Sequence, residues 1–184
     1  MKWEFRITGL GGQGAITIGH ILGRAAVLYD NKEAVVTEGY SPYITGGWSR
    51  ADVIVSDDQI DYPYVSKLDI LVAMYQEGLD LNVKLLKPDS TVLVEKRLVD
   101  TAKVKNERKV IGVPATELAE RLGRKILANV VLLGALAANS NAVTMDSLRK
   151  AVADRFPKAT ELNLKALEAG FDIMELTGGE RRVA

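Results

Sequence analysis

A chain of 184 residues with 47% apolar and 26% charged side chains is long enough for one domain with a full core, and its composition is that of an ordinary soluble globular protein. Its 24 basic and 24 acidic residues cancel, which removes any electrostatic case for nucleic acid or an anionic membrane. The absence of cysteine excludes disulfides, iron–sulfur ligation and a thiol nucleophile, and a single histidine, His20, excludes a His-rich metal site.

The opening residues mix charged and apolar groups and carry no leader pattern, so a cytoplasmic protein is expected. Residues 3–8 read as a strand. Gly9-Leu10-Gly11-Gly12-Gln13-Gly14 follows, a G-x-G-x-x-G set between that strand and an apolar helical stretch. Glycines there let the backbone approach a phosphate closely, and the helix N-terminus adds unpaired N–H groups and partial positive charge. The same run could instead be a tight turn packing against another chain. The helix is expected over 12–29, ended by the turn chemistry of Asp30-Asn31. A short second strand at 33–38 would complete a β-α-β unit. Glu38, some 24 residues after Gly14, stands where an NAD protein places its ribose-binding acid, or else caps a turn.

Residues 39–50 form an unusual loop with three glycines, one proline and three aromatics, Tyr40, Tyr43 and Trp48. Exposed aromatics beside the permissive Gly46-Gly47 pair suit an interface or a nucleotide-like ligand. Strands are expected at 51–56 and 68–74, the second continuously apolar as in a parallel sheet buried on both faces. Ser56-Asp57-Asp58 would then close a strand at the sheet's C-terminal edge. A helix at 77–86, a turn at 87–89, strands at 91–94 and 109–113, and a charged segment at 100–108 between them come next.

The last third is helical: 114–122 behind Pro114, an apolar helix at 126–139 carrying Asn129, a helix capped by Thr144, and an amphipathic helix at 158–176. The longest apolar run, 126–138, is too short to span a bilayer and reads as a core helix. Asn129 must find a partner in that setting. His20 reads as a packed or surface histidine. The expected fold is α/β: a Rossmann-like, doubly wound, mainly parallel sheet with helices on both faces and a helical C-terminal third. A single domain over 1–176 and a loose tail over 177–184 are expected. One histidine and no cysteine assemble no nucleophile–base–acid set, so the chemistry must come from a cofactor or a partner subunit.

These segments resemble, in order, the gamma subunit of the 2-oxoacid:ferredoxin oxidoreductases, the thiamine-diphosphate enzymes acting on pyruvate, 2-oxoglutarate, branched-chain oxoacids or indolepyruvate. The resemblance lies in Gly9 to Gly14, in Tyr40-Ser41-Pro42 followed by Gly46-Gly47, in Ser49-Arg50-Ala51-Asp52-Val53-Ile54-Val55-Ser56-Asp57, in Leu68-Asp69-Ile70-Leu71-Val72-Ala73, and in Asn129-Val130-Val131-Leu132-Leu133-Gly134-Ala135. Two positions depart from it. Thr45 replaces the family's arginine before Gly-Gly, with Arg50 as a possible substitute, and Ser41 replaces a glycine. The resemblance implies CoA-dependent oxidative decarboxylation of a 2-oxoacid to an acyl-CoA, with ferredoxin reduced. It implies alpha and beta partners, and in some enzymes a ferredoxin-like delta subunit. Thiamine diphosphate, magnesium and iron–sulfur clusters would sit on those partners, and coenzyme A is the ligand this chain could help to position. The expected binding edge comprises Gly9, Gly11, Gly12, Gln13, Gly14, Tyr40, Gly46, Gly47, Ser56 and Asp57. No catalytic or metal-ligating residue is expected here. The rival reading is a stand-alone NAD(H)-binding Rossmann domain with Glu38 on the ribose.

Overall fold

The computed structural model describes residues 1–42, 47–102, 104 and 108–177. Tyr43, Thr45 and Gly46 of the aromatic loop, part of the charged segment and the tail from 178 onward lie outside the described residues. Six strands form one sheet: β1 (Lys2–Leu10), β2 (Glu33–Tyr40), β3 (Trp48–Ser56), β4 (Leu68–Ala73), β5 (Leu86–Glu95) and β6 (Lys109–Val113). The helices are α1 (Ala15–Tyr29), α2 (Gln76–Asp80), α3 (Ala115–Arg121), α4 (Ala128–Ala138), α5 (Met145–Arg155) and α6 (Thr160–Thr177).

The sheet order is β2-β3-β1-β4-β5-β6. β1, β4, β5 and β6 are parallel neighbours, but β3 is antiparallel to both β1 and β2. The sheet is therefore mixed, and the expected β-α-β unit does not close on β1. The connection of 41–47 is short, which permits only a hairpin between β2 and β3. β3 then fills the place beside β1 that a parallel second strand would have taken.

This reverses the placement of Ser56-Asp57. Lys2 pairs with Ser56 and Leu10 with Trp48, so β3 ends at the amino end of β1. The nine residues of β1 put Ser56-Asp57 roughly 25–30 Å from the glycine loop. There Asp57 pairs with the Met1 amino group at 2.9 Å and with Lys32 at 3.6 Å. The expected helix at 77–86 also shrinks to α2 and a single 3-10 turn at Val83–Leu85, because Leu86 already joins β5. The expected turn at 87–89 survives inside β5 as a register shift against β4, with Ser90 Oγ donating to the Lys87 carbonyl at 2.8 Å.

Helices lie on both faces, very unequally. Phe5, Ile7, Val53, Val72 and Leu93 pack under α1, α3, α4, α5 and α6 in one large core. α4 is buried almost all round, touching β4 and β5 on one side and α6 on the other, which is why its sequence shows no polar stripe. Helix α6 packs broadly within the chain: Ala166, Leu167 and Met174 are buried, and Leu162, Leu164, Phe171 and Ile173 pack against the same core. Among the described residues the other sheet face carries α2, the 3-10 turn and a small apolar cluster around Leu71, Val92 and Leu79. Beside that cluster the face turns polar, with Glu4, Arg6 and Asp52 all under 8% exposed. No helix among the described residues is long and apolar enough to cross a membrane.

Helix α1 is tied to the start of α5 by Asp30. Its carboxylate accepts from the Thr144 amide at 2.6 Å, the Thr144 hydroxyl at 2.8 Å and the Ser147 hydroxyl at 2.6 Å. Thr144 meanwhile caps α5 as expected, accepting from the Ser147 amide. Burial alone would raise the Asp30 pKa, but these donors outweigh it and hold the carboxyl below its ordinary value. The stabilisation is therefore full above the unfolded carboxyl pKa of about 3.9 and is lost as pH falls through the lower folded value. Asp30→Ala is expected to cost about 2 kcal/mol at pH 7 and much less near pH 2, measured by denaturant unfolding at both. An equal cost at both would refute the ionic contribution.

Candidate functional site

Three chain segments converge at the carboxyl end of β1. The first is the glycine loop. Gly12 and Gly14 adopt φ of +87° and +80°, a region closed to most side chains, and Gly14 caps α1 without any side-chain hydrogen bond. The first-turn N–H groups of α1 are thus left to the space in front of the loop. Gln13 closes the loop: its Oε1 accepts from the Leu10 amide at 2.6 Å, and its Nε2 donates to the Met74 carbonyl at the end of β4. The second segment is the hairpin tip. The Gly11 amide donates to the Gly47 carbonyl at 2.8 Å, joining the two glycine pieces directly. The third is the start of α4, where Asn129 packs on Gly14. A Cβ at Gly14 would lie 2.1 Å from the Asn129 Nδ2, so only glycine fits.

A cavity of about 680 Å³ opens between these segments and the α5–α6 junction. Gly11, Gly12, Gly14, Tyr40, Gly47 and Trp48 form one side, and Arg124, Asn129, Arg155 and Asn163 the other. Among the described residues no carboxylate lines it. Among the described residues neither Arg124 nor Arg155 forms an ion pair, and Arg155 stacks over Phe156 at 5.4 Å. Asn129 is 7% exposed; its Oδ1 accepts from the Val130 amide at 2.8 Å, while its Nδ2 has no partner among the described residues. Two arginines, the Asn129 amide and the N-terminus of α1 are groups of the kind that favour an anion.

A smaller cavity of about 360 Å³ shares Gly12, Ile126 and Asn129 with the first and continues to Gln13, Met74 and Glu95. Glu95 is 2% exposed, and its carboxylate is held by the Thr116 amide, the Thr116 hydroxyl and the Arg97 amide. It anchors the start of α3.

Of the expected edge, Gly11, Gly12, Gly14, Tyr40 and Gly47 meet at the larger cavity, and Gln13 lines the smaller one. Gly9 lies within β1 and lines neither cavity. Gly46 is outside the described residues, and Ser56 and Asp57 stand at the opposite end of the sheet. Glu38 is not placed for a ribose. It sits on the edge strand β2, with β3 between it and β1, and its carboxylate accepts from the Tyr40 hydroxyl and the His20 Nε2. Those contacts, that of Tyr40 above all, hold its pKa below the ordinary carboxylate value. His20 is a surface histidine. Arg50 turns to the sheet's other face, 3.6 Å from Asp52 and over Gly39, so it does not stand in at the cavity for the family's arginine. Arg124 and Arg155 carry no local sequence signature; only helix packing brings them beside the loop.

The sequence matches the family described as pyruvate ferredoxin/flavodoxin oxidoreductase over residues 4–173. It is 44% identical to a 2-oxoglutarate synthase subunit KorC from Methanocaldococcus jannaschii, with 94% of each chain covered. It is similar to a crystal structure of the gamma subunit of a keto/oxoacid ferredoxin oxidoreductase from Geobacter sulfurreducens, at 36% identity and a TM-score of 0.80, covering 92% of this chain and 96% of that one. It shares its fold, at 20% identity and a TM-score of 0.87, with part of a 2-oxoglutarate:ferredoxin oxidoreductase from Magnetococcus marinus solved with 2-oxoglutarate, coenzyme A and succinyl-CoA bound, covering 95% of this chain and 31% of that one.

Proposed function

This chain belongs to the pyruvate ferredoxin/flavodoxin oxidoreductase family as a gamma subunit of a 2-oxoacid:ferredoxin oxidoreductase, and from that premise we propose that it forms the coenzyme A side of a 2-oxoglutarate-specific enzyme. The observation that carries the reading is the larger cavity: two arginines, no carboxylate among the described residues, and a glycine loop at a helix N-terminus. Coenzyme A brings three phosphate groups and a planar base. Arg124, Arg155, the α1 N–H groups and the Asn129 amide suit the phosphates, and Tyr40 and Trp48 offer flat apolar walls. A volume of about 680 Å³ is of the size that holds a nucleotide. The NAD reading has no support, since Glu38 is engaged elsewhere.

Exposed Leu10, Tyr40, Leu98 and Ile126, each 40–60% accessible, gather on this edge. Apolar exposure beside a ligand cavity suits docking onto a catalytic subunit. In this reading the alpha and beta subunits, and a ferredoxin-like delta subunit, complete a cytoplasmic complex. They hold the thiamine diphosphate, magnesium and iron–sulfur clusters, and the thiamine cofactor supplies the decarboxylation chemistry. This chain binds and orients the thiol substrate. The preference for 2-oxoglutarate follows the 44% identity to the KorC chain.

Two experiments test this. Native purification should bring down thiamine-binding and iron–sulfur subunits in stoichiometric amounts, and the complex should turn over 2-oxoglutarate with coenzyme A faster than pyruvate. Isolation of the chain alone, or a preference for pyruvate, would overturn the respective part. Second, Gly12→Leu forces a side chain onto a cavity-lining residue whose φ of +87° favours glycine, and so strains the loop. It should raise the KM for coenzyme A in the complex roughly tenfold or more, with thiamine content on the partner intact. Wild-type kinetics would count against the loop as a binding element.

A further inference from the structure

We propose that Glu38 and His20 are positioning residues that hold the Tyr40 ring at the mouth of the larger cavity, where it forms the wall for the planar base of the anionic ligand. The inference rests on the reading of that cavity as the coenzyme A site.

Tyr40 is the last residue of β2, an edge strand, and is 60% exposed. A side chain with so little packing has several rotamers to choose from, and selecting one costs entropy on binding unless something holds it beforehand. Its hydroxyl donates to the Glu38 carboxylate two residues earlier, and residues two apart share a strand face. The other Glu38 oxygen meets the His20 Nε2 on α1. The three groups thus link β2 to the helix that the glycine loop starts. Glu38 lines neither cavity, whereas Tyr40 lines the larger one. The arrangement fixes an aromatic wall and, at the same time, keeps a carboxylate turned away from a site that must accept an anion. It also assigns a role to the sole histidine and to the acid that the NAD fingerprint would have placed on a ribose.

The test uses the assembled oxidoreductase and reads kcat and KM for coenzyme A and for the oxoacid separately. Tyr40→Phe and Glu38→Ala should each raise the KM for coenzyme A roughly 3- to 10-fold, the size of one lost hydrogen bond, with a smaller effect on kcat and none on the oxoacid KM. His20→Ala should give a roughly 2- to 3-fold rise, since it acts one bond further away. Glu38→Gln keeps an acceptor and should return the KM to within about twofold of wild type. The double variant Tyr40→Phe/Glu38→Ala should be no worse than either single change, because both break one interaction. A wild-type KM for coenzyme A in Glu38→Ala and His20→Ala would overturn the positioning role. If Gly12→Leu still raises that KM, only the positioning role has failed. If Gly12→Leu is silent too, the coenzyme A reading itself falls. Parallel loss of all kinetic constants, or of the subunit from the complex, would assign these residues to folding and equally refute the proposal.

Discussion

Replacing Gly134 by alanine is expected to lower the thermal unfolding midpoint of the purified chain by about 10 °C, a loss of about 3 kcal/mol or more. Helices α4 and α6 meet backbone to backbone. A Cβ at Gly134 would stand 2.0 Å from the Leu167 carbonyl oxygen, and one at Gly170 would stand 1.9 Å from that of Val131. Neither neighbour is a side chain that can swing aside, so the helices must separate and the surrounding core must open. Gly170→Ala should behave alike. Gly112→Ala is the control: its nearest neighbour is the flexible Lys96 side chain at 3.3 Å, and its cost should stay within about 1 kcal/mol. Similar melts for Gly134→Ala and Gly112→Ala would show that the helices are not in such close contact. A functional consequence is attached, because α4 carries Asn129 and α6 carries Asn163. Any separation of the two helices shifts one wall of the cavity against Gly14.

Arg6→Met is expected to cost about 3–5 kcal/mol, because it strands a buried carboxylate. Arg6 and Asp52 face each other across β1 and β3, and their guanidinium and carboxylate form two bonds at 2.6 and 2.7 Å, while the remaining Arg6 nitrogen reaches Asn82 at 2.7 Å. Both residues are at most 7% exposed. Arg50, at 3.6 Å from Asp52, compensates only partly. The double replacement Arg6→Met/Asp52→Leu removes both charges and should recover most of the loss, measured by denaturant unfolding. A double variant as unstable as Arg6→Met would mean that shape rather than charge dominates there. The pair also bears on the site. A slip of one residue between β1 and β3 would set Arg6 against a residue of the opposite face and would move Gly47 away from Gly11.

How much of this was legible beforehand differs from element to element. The strands at 68–73 and 109–113, α1, α4 and α6 are long or strongly patterned, and they emerge close to their expected bounds. The segment 77–86 does not: it looks helical by propensity, yet Leu86 is recruited into β5 beside β4, where it is 4% exposed. The glycine loop was legible as the turn before α1, but the loop expected over 39–50 gives up its ends to strands, Gly39 and Tyr40 to β2 and Trp48 to Arg50 to β3, because the hairpin pairs them. Arg124 and Arg155 were not, since an arginine near a helix end looks the same whether it faces water or a cavity.

The chain's own pattern therefore determined the α/β class, the lack of any cysteine and the single histidine, the glycine loop before α1, and the family resemblance that the comparisons then bore out. All of these depend on residue type and near neighbours, which a linear sequence records. Only the tertiary structure decided the direction of β3. A hairpin and a crossover differ not in local propensity but in which distant strand edges pair, and that choice sends Ser56-Asp57 to the far end of the sheet while drawing Gly47 onto Gly11. The charge of the cavity was settled in the same way, by long-range packing that brings α3, α4 and α5 ends together around Asn129.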